Sequence, residues 1–174
     1  MSTVKQAISG VSAGAEAEVM VRFPSVSSQA PGRLIGKLLE LIPIRVPFLG
    51  VKISHLIFGA LCAPFGALGY FATKVFGEKY ILTSHAIQKW KFLGNRMLSQ
   101  LDLDDIDDIA VYQQSGQEFF KAADLHLLNA GGDVLMRIAG IPRAEVFREN
   151  IMKTRDSRRE TAASLATIEA RQTA

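Results

Sequence analysis

The sequence contains an uninterrupted run of uncharged, mainly apolar residues from Ile53 to Thr73. Its 21 residues match the roughly 20 that an α-helix needs to cross the hydrocarbon core of a bilayer. His55 lies near the start of the run, and Pro64 lies inside it, where a proline bends a helix. The run predicts a membrane-associated helix over residues 53–76. The alternative is a buried core helix of a soluble protein, although such helices are seldom so long and so free of charge.

A second apolar stretch, residues 34–49, precedes this run and is interrupted by charges and two prolines. Four of its apolar residues fall on one face of a helix: Leu34, Leu38, Leu39 and Ile42. This pattern predicts a helix that lies in the headgroup layer. Residues 34–76 then either lie on the bilayer and return or cross it, or form a helical hairpin with both ends on the same side.

Basic residues flank the apolar run on both sides. Four precede it and are candidate contacts with anionic lipid: Arg33, Lys37, Arg45 and Lys52. Four follow it: Lys74, Lys79, Lys89 and Lys91. The positive-inside rule therefore sets no orientation, and the equal flanks favour a hairpin or a re-entrant segment over a single crossing.

Small residues recur at intervals of four in the run, at Gly59, Ala63 and Ala67. Small side chains at this spacing let two helix backbones approach closely in lipid. These three residues are candidate contacts with a partner helix. The alternative is that glycine and alanine are simply frequent in membrane helices.

After Gly77 the pattern changes from helical to alternating. Residues 78–83, 86–93 and 96–101 are predicted strands, and the last two form a hairpin around Gly94-Asn95. Three further strands are predicted: residues 109–114, 123–128 and 134–139. Pro142 is predicted to open a helix that docks on the sheet through Ala144, Phe147 and Ile151. The fold class is α+β, with a small, partly open antiparallel barrel capped by a C-terminal helix.

The order of hydrophobic positions and turns carries a family resemblance. The residues are Tyr80-x-Leu82-Thr83, then Leu101-x-Leu103-x-Asp105-Ile106, Ala123-Asp124-Leu125, Gly131-Gly132 and Gly140-Ile141-Pro142. Over about residues 78–152 the chain resembles a bacterial pleckstrin-homology (PH) domain, of the kind found in small membrane proteins after a pair of hydrophobic segments. Eukaryotic PH domains bind inositol phosphates through basic residues between their first two strands. Here that connection is Thr83-Ser84-His85, without lysine or arginine, so headgroup recognition by that route is disfavoured.

No pattern in the sequence predicts catalysis. The aspartates of residues 102–108 lack the glycine and glutamate of a calcium loop, so we expect a solvated turn anchored by Leu103, Ile106 and Ile109. His55, His85 and His126 do not share metal-ligand spacing, and Cys62 is the only thiol. The sequence therefore predicts no enzyme, no cofactor and no metal.

Phe119 and Phe120 lie in a predicted loop between strands. They are either a plug for the open end of the barrel or an exposed anchor for a partner protein. We expect at least one of them to pack in the core.

These patterns divide the chain into an N-terminal segment (1–33), a membrane-associated region (34–76), a PH-like domain (77–153) and a charged tail (154–174) that extends as a solvated helix or frays. No cleavable signal peptide is expected.

The predicted function is a non-enzymatic, membrane-anchored, protein-binding module, an accessory subunit of a larger membrane complex. The expected partners are membrane lipid and other membrane-protein subunits. The alternative is a peripheral module that binds anionic lipid. Twenty basic against seventeen acidic residues argue against a nucleic-acid partner. The expected location is the inner membrane, with the domain in the cytoplasm.

Overall fold

The structure is a computed structural model that describes residues 16–42, 44 and 51–172. Within these residues the chain forms strand β1 (Glu18–Arg22), helices α1 (Ala30–Glu40) and α2 (Ile53–Phe76), six further strands and a C-terminal helix. The later elements are β2 (Glu78–Thr83), β3 (Ala86–Lys91), β4 (Arg96–Asp102), β5 (Asp108–Tyr112), β6 (Ala122–Leu128), β7 (Val134–Pro142) and α3 (Ala144–Gln172).

The strands form two antiparallel sheets, which confirms the predicted α+β class. One sheet has the order β1-β2-β3-β4 and the other has the order β5-β6-β7. The two sheets do not close into a barrel, so the predicted partly open barrel is wrong in this respect. The chain between β4 and β5 turns inward instead of pairing, and it buries Leu103 and Ile106 completely. Those two side chains and Ile109 are the anchors that the sequence predicted for the acidic turn.

The predicted hairpin is confirmed as β3 and β4. Lys91 pairs with Arg96, and Gly94 and Asn95 both adopt positive φ angles, 83° and 43°. The turn has four residues, 92–95, and a glycine and an asparagine adopt the positive φ angles in it at low cost.

Strand β1 was not predicted, because its residues were placed in a separate N-terminal segment. It pairs antiparallel with β2, with Val21 opposite Ile81 and Arg22 opposite Tyr80. Both membrane-region helices, α1 and α2, are therefore inserted between two neighbouring strands of one sheet. The short apolar run Val19-Met20-Val21 between Glu18 and Arg22 is too weak a signal by itself to identify this strand.

One core joins both sheets and α3. Its members come from β2, β3, β5, β6, β7, the β4–β5 turn and α3, and the largest fully buried side chains include Tyr80, Phe147, Leu82, Ile87 and Leu125. The predicted docking residues of α3, Ala144, Phe147 and Ile151, are all buried in it. Pro142, however, ends β7 opposite Ala122, and the helix begins after Arg143 at a φ of 53°. A proline is tolerated there because β7 is an edge strand.

The tail after residue 153 continues α3 and is held by its arginines. Arg155 is buried, and its Nη1 donates to the carbonyl oxygens of Ile106 (3.2 Å) and Asp107 (2.6 Å). Arg158 forms ion pairs with Asp102 (2.8 Å) and Asp104 (3.0 Å). The acidic turn is therefore partly neutralised by the helix, rather than fully solvated as predicted.

Tyr80 generates a prediction about alkaline pH. Burial raises the pKa of Tyr80 well above that of a free tyrosine, and the nearby Glu78 carboxylate raises it further. Above about pH 10 the unfolded chain loses the phenol proton while the folded chain keeps it, so the free energy of unfolding falls by about 1.4 kcal/mol per pH unit from this group. Tyr80→Phe is expected to show a shallower decline than wild type in urea unfolding at alkaline pH. Tyr112→Phe, at an exposed tyrosine, should keep the wild-type slope; identical slopes for all three proteins would contradict the prediction.

Candidate functional site

Helix α2 has the predicted bounds and, by length and composition, is long and apolar enough to cross a membrane. Its 24 residues correspond to roughly 36 Å. Pro64 lies inside the helix, and the helix ends at Gly77, where the chain enters β2. Among the residues of α2, Ser54 and Cys62 are the buried ones.

Helix α1 is shorter than the predicted headgroup helix and packs against α2. The hydroxyl of Ser54 donates to the carbonyl oxygens of Leu39 and Ile42 at the end of α1. Lys52 forms an ion pair with Glu40 across the same junction. The Ser54 hydroxyl pairs carbonyl groups near the end of α1 that would otherwise lack partners. Together with the ion pair, it holds the start of α2 against the end of α1.

The two helices pack on the rest of the fold, here called the β-domain (strands β1–β7 with α3), through a close approach of two backbones. A Cβ atom at Gly36 of α1 would overlap the carbonyl oxygen of Gly116 in the β5–β6 loop, and one at Gly116 would overlap the carbonyl oxygen of Arg33. Gly116 also has a φ of 91°. Only glycine fits at both positions, so α1 lies directly against this loop.

Both ends of α2 contact the β-domain. Near its start, the His55 ring lies edge-on to the ring of Phe119, with centroids 5.2 Å apart. Near its end, the Lys74 ammonium lies 4.1 Å from the centroid of the Phe23 ring. The carbonyl oxygen of Gly77 accepts a hydrogen bond of 3.0 Å from the Phe92 N–H. The β-domain therefore lies alongside α2 instead of hanging from one end of it.

A buried carboxylate orders the loop that reaches the start of α2. Asp124 accepts hydrogen bonds from the side chains of Gln114 and Gln117 and from the Gly140 N–H. This network shapes residues 113–121, which carry Phe119 and Phe120. This network was not predicted, because no local sequence pattern links an aspartate in a strand to glutamines in a preceding loop.

Phe119 and Phe120 lie in the predicted loop, but neither packs in the core. Phe119 is 37% exposed, and Phe120 is half-buried against it. The expectation that at least one would be a core residue is therefore wrong. The physical reason is that the loop leans away from the core and onto α1 and α2, so that Phe119 contacts His55.

Helix α2 has three distinct faces. On the packed face Cys62 is buried, His55 lies against Phe119, and the side chain of Val26 leaves no room for a Cβ at Gly69. The predicted partner contacts lie beside this packed face. With about 3.6 residues per turn, Gly59 is next to it, and Ala63 and Ala67 lie progressively further round the helix. A third face, here called the outward face, consists of exposed apolar side chains: Ile57, Leu61, Phe65, Leu68 and Phe71. Leu56 and Tyr70 are exposed beside the small residues.

The predicted lipid-contacting basic residues are not equivalent. The Arg33 guanidinium donates to the Gln114 side chain, and Lys52 is paired with Glu40. Lys37 is exposed on α1. Arg45 lies outside the described residues. Two of the four candidate cations are thus engaged within the chain.

A groove of about 680 Å³ lies between α3 and the β2–β3 turn. In it the Ser84 hydroxyl and the Nδ1 of His85 are 2.7 Å apart. The groove has no carboxylate among its lining residues, which are Val19, Ser84, His85, Asn150, Lys153, Thr154, Ser157, Arg158, Thr161 and Ala162. A Ser–His pair without a group that orients the imidazole lacks a part of the known triads.

Within the described ranges, no three His, Cys, Asp or Glu side chains are grouped to hold a metal.

Comparisons of the chain with protein-family models, with curated proteins and with solved structures gave no match.

A pair of glycine substitutions tests how the helices are seated. Alanine normally stabilises a helix relative to glycine, by about 1 kcal/mol. Gly59→Ala should follow this rule, since nothing lies within 4 Å of its added Cβ. Gly36→Ala should instead destabilise, because its Cβ must displace the Gly116 backbone. Hydrogen exchange of α1 and of the β5–β6 loop is the measurement. Faster exchange in both segments for Gly36→Ala alone is expected, and equal protection in the two variants would argue against the close approach.

Proposed function

We propose that this protein is a non-enzymatic, membrane-anchored accessory protein whose PH-like domain is held against the bilayer by α2 and binds another membrane-protein subunit. The observation that carries this proposal is the long, exposed apolar face of α2, on a helix that is fastened to the β-domain at both ends.

The outward face of α2 is too apolar for water. Five large side chains are exposed on it, each more than half: Ile57, Leu61, Phe65, Leu68 and Phe71. Moving a side chain of this size out of water is worth about 1.5–3 kcal/mol, so the face gains on the order of 10 kcal/mol in lipid. This gain is enough to keep the chain on a membrane without any electrostatic contribution.

The attachment at both ends favours the re-entrant or in-plane alternative over a simple crossing. If α2 crossed the bilayer, the β5–β6 loop at its start and the β2–β3 strands at its end would lie on opposite sides. The loop carries Gln113, Gln114, Glu118 and Lys121, and polar groups of this kind are costly in hydrocarbon. Packing of α2 along the domain, with its outward face in lipid, avoids that cost.

The flank of α2 with Gly59, Ala63 and Ala67 remains open for a partner. Ala63 and Ala67 are exposed, and a Cβ at Gly59 would meet nothing within 4 Å. A helix of another membrane subunit can approach such a surface closely, with van der Waals packing as the driving force. This is the feature that favours an accessory subunit over a solitary anchor.

The β-domain supports the PH-like part of the proposal. Six antiparallel strands after α2, followed by one C-terminal helix, agree with the order that the resemblance implies, whereas β1 before the helices was not expected from it. By the same resemblance, we place the protein at a bacterial inner membrane with the β-domain on the cytoplasmic side.

A peripheral module that binds anionic lipid through residues 33–52 is the second candidate. Its weakness is that Arg33 and Lys52 are already engaged within the chain. Extraction separates the two proposals: if α2 is the anchor, the protein stays in the membrane pellet after high-salt and alkaline carbonate washes and is released by detergent. The charge-reversing variant Lys37→Glu should be retained equally, whereas Leu61→Asp together with Leu68→Asp should be released. Release of the wild type by salt alone would favour the peripheral module.

The small-residue flank makes a separate prediction about assembly. Ala63→Leu should push a partner helix away and reduce the fraction of protein that co-migrates with a larger complex in mild detergent. Leu61→Ala, on the outward face, should reduce it less. Native electrophoresis measures this fraction, normalised to the amount in the membrane. If Ala63→Leu and wild type co-migrate equally, the small residues are not the partner contact.

A further inference from the structure

The tip of the β3–β4 hairpin carries apolar side chains on both of its faces, and against the described part of the chain these side chains stay about half exposed. Phe92 and Leu93 are 46% and 55% exposed, and Met97 and Leu98 are 45% and 46% exposed. Successive side chains of a strand point to opposite sides, so the exposure of neighbours such as Met97 and Leu98 means that the tip projects beyond the β-domain. Four large apolar side chains at one exposed tip need an occupant to remove them from water.

The tip lies at the end of the membrane-facing helix. The Phe92 N–H donates to the carbonyl oxygen of Gly77, the residue directly after α2. The Phe92 ring also contacts the Phe23 ring, with centroids 6.1 Å apart, and Phe23 in turn contacts Lys74 of α2. Whether α2 crosses the bilayer or lies in its plane, its C-terminal end must lie near a membrane surface, and the hairpin tip lies there with it.

The charge around the tip has the sign that a bacterial or other anionic membrane surface attracts. Residues 89–101 contain Lys89, Lys91 and Arg96 and no acidic residue. Lys79 extends this basic group by donating to the Asn95 side chain in the turn at 2.9 Å. Lys89 is neutralised by Glu78 at 2.9 Å, which leaves three cations around the apolar tip. Aromatic and aliphatic side chains ringed by lysine and arginine are typical of segments that sit at the headgroup level.

We propose that the β3–β4 hairpin tip, through Phe92, Leu93, Met97 and Leu98, is a second membrane contact that inserts into the headgroup layer of an anionic bilayer beside the end of α2. With two contacts the β-domain is held at a defined angle to the membrane, rather than rotating about α2. This inference rests on the proposed membrane attachment through α2. It adds a surface that the sequence analysis did not assign.

Site-specific fluorescence in the full chain tests the inference. Cys62→Ala removes the native thiol, and an environment-sensitive label is then placed, in separate proteins, at Leu93→Cys on the tip, Leu68→Cys on the outward face of α2 and Ala130→Cys in the β6–β7 turn. The proteins are reconstituted into vesicles of phosphatidylcholine and phosphatidylglycerol. Quenchers are bromine atoms on the lipid chains or iodide in the buffer. The Leu93→Cys and Leu68→Cys labels should be quenched by the brominated lipid, and the Ala130→Cys label by iodide.

The outcomes separate failure of this inference from failure of the proposed function. If iodide quenches the tip label while lipid quenches the label on α2, the tip faces water and the inference is overturned, but the membrane attachment stands. If iodide quenches both labels, the attachment through α2 fails as well. If neither quencher reaches the tip label and the Leu93→Cys residues of two molecules form a disulfide, a second copy covers the tip, which also overturns the inference.

The charge around the tip is tested in the same vesicles. Lys91→Gln combined with Arg96→Gln should reduce the lipid quenching of the tip label several-fold in anionic vesicles, and much less in vesicles of phosphatidylcholine alone. Lys153→Gln, on the exposed surface of α3, is the matched control and should change nothing. If the double variant behaves as the control does, an anionic surface is not the occupant of the tip.

Discussion

The close approach of α1 to the β5–β6 loop is the contact on which the arrangement of this protein depends. Gly36 and Gly116 bring two backbones together with no side chain between them. Because α1 is joined to α2 through Ser54 and Lys52, this contact acts together with those at both ends of α2. Together they set where α2 lies and which of its faces is buried.

The insertion of the helices between β1 and β2 reinforces the same arrangement. A membrane helix at one end of a chain is free to swing on its linker, whereas α1 and α2 leave the sheet after Arg22 and return to it at Glu78. Arg22 and Glu78 lie at the same end of their paired strands, since Arg22 is opposite Tyr80. Both ends of the α1–α2 segment are therefore attached to one edge of the β-domain. These covalent connections limit its orientation in addition to the side-chain contacts.

The charged groups of the chain serve structure more than recognition. Arg155 and Arg158 hold the acidic β4–β5 turn against α3, Lys52 and Glu40 join the two membrane-region helices, and Asp124 orders the β5–β6 loop. Arg155 and Asp124 are buried, and buried polar groups of this kind are retained where every bond is satisfied. The described cations without an ion pair are spread over several surfaces, among them Lys37 on α1, Arg137 on β7, and Lys91 and Arg96 at the β3–β4 tip.

Features with local causes were determined by the sequence itself. The length and apolar character of α2, the Gly94-Asn95 turn and the docking stripe Ala144, Phe147 and Ile151 all follow from periodicity and turn chemistry within a short window.

Features that need distant residues were decided only by the tertiary structure. Strand β1 is too short to be recognised without β2, some sixty residues later, and Pro142 could equally open a helix or end an edge strand. The seat of α1 depends on two glycines, Gly36 and Gly116, and a glycine shows its use only when the backbone that approaches it is in place. The contacts of Phe119 and of the α3 arginines could not be predicted either. The residues that they contact are distant in sequence and come near only in the folded structure.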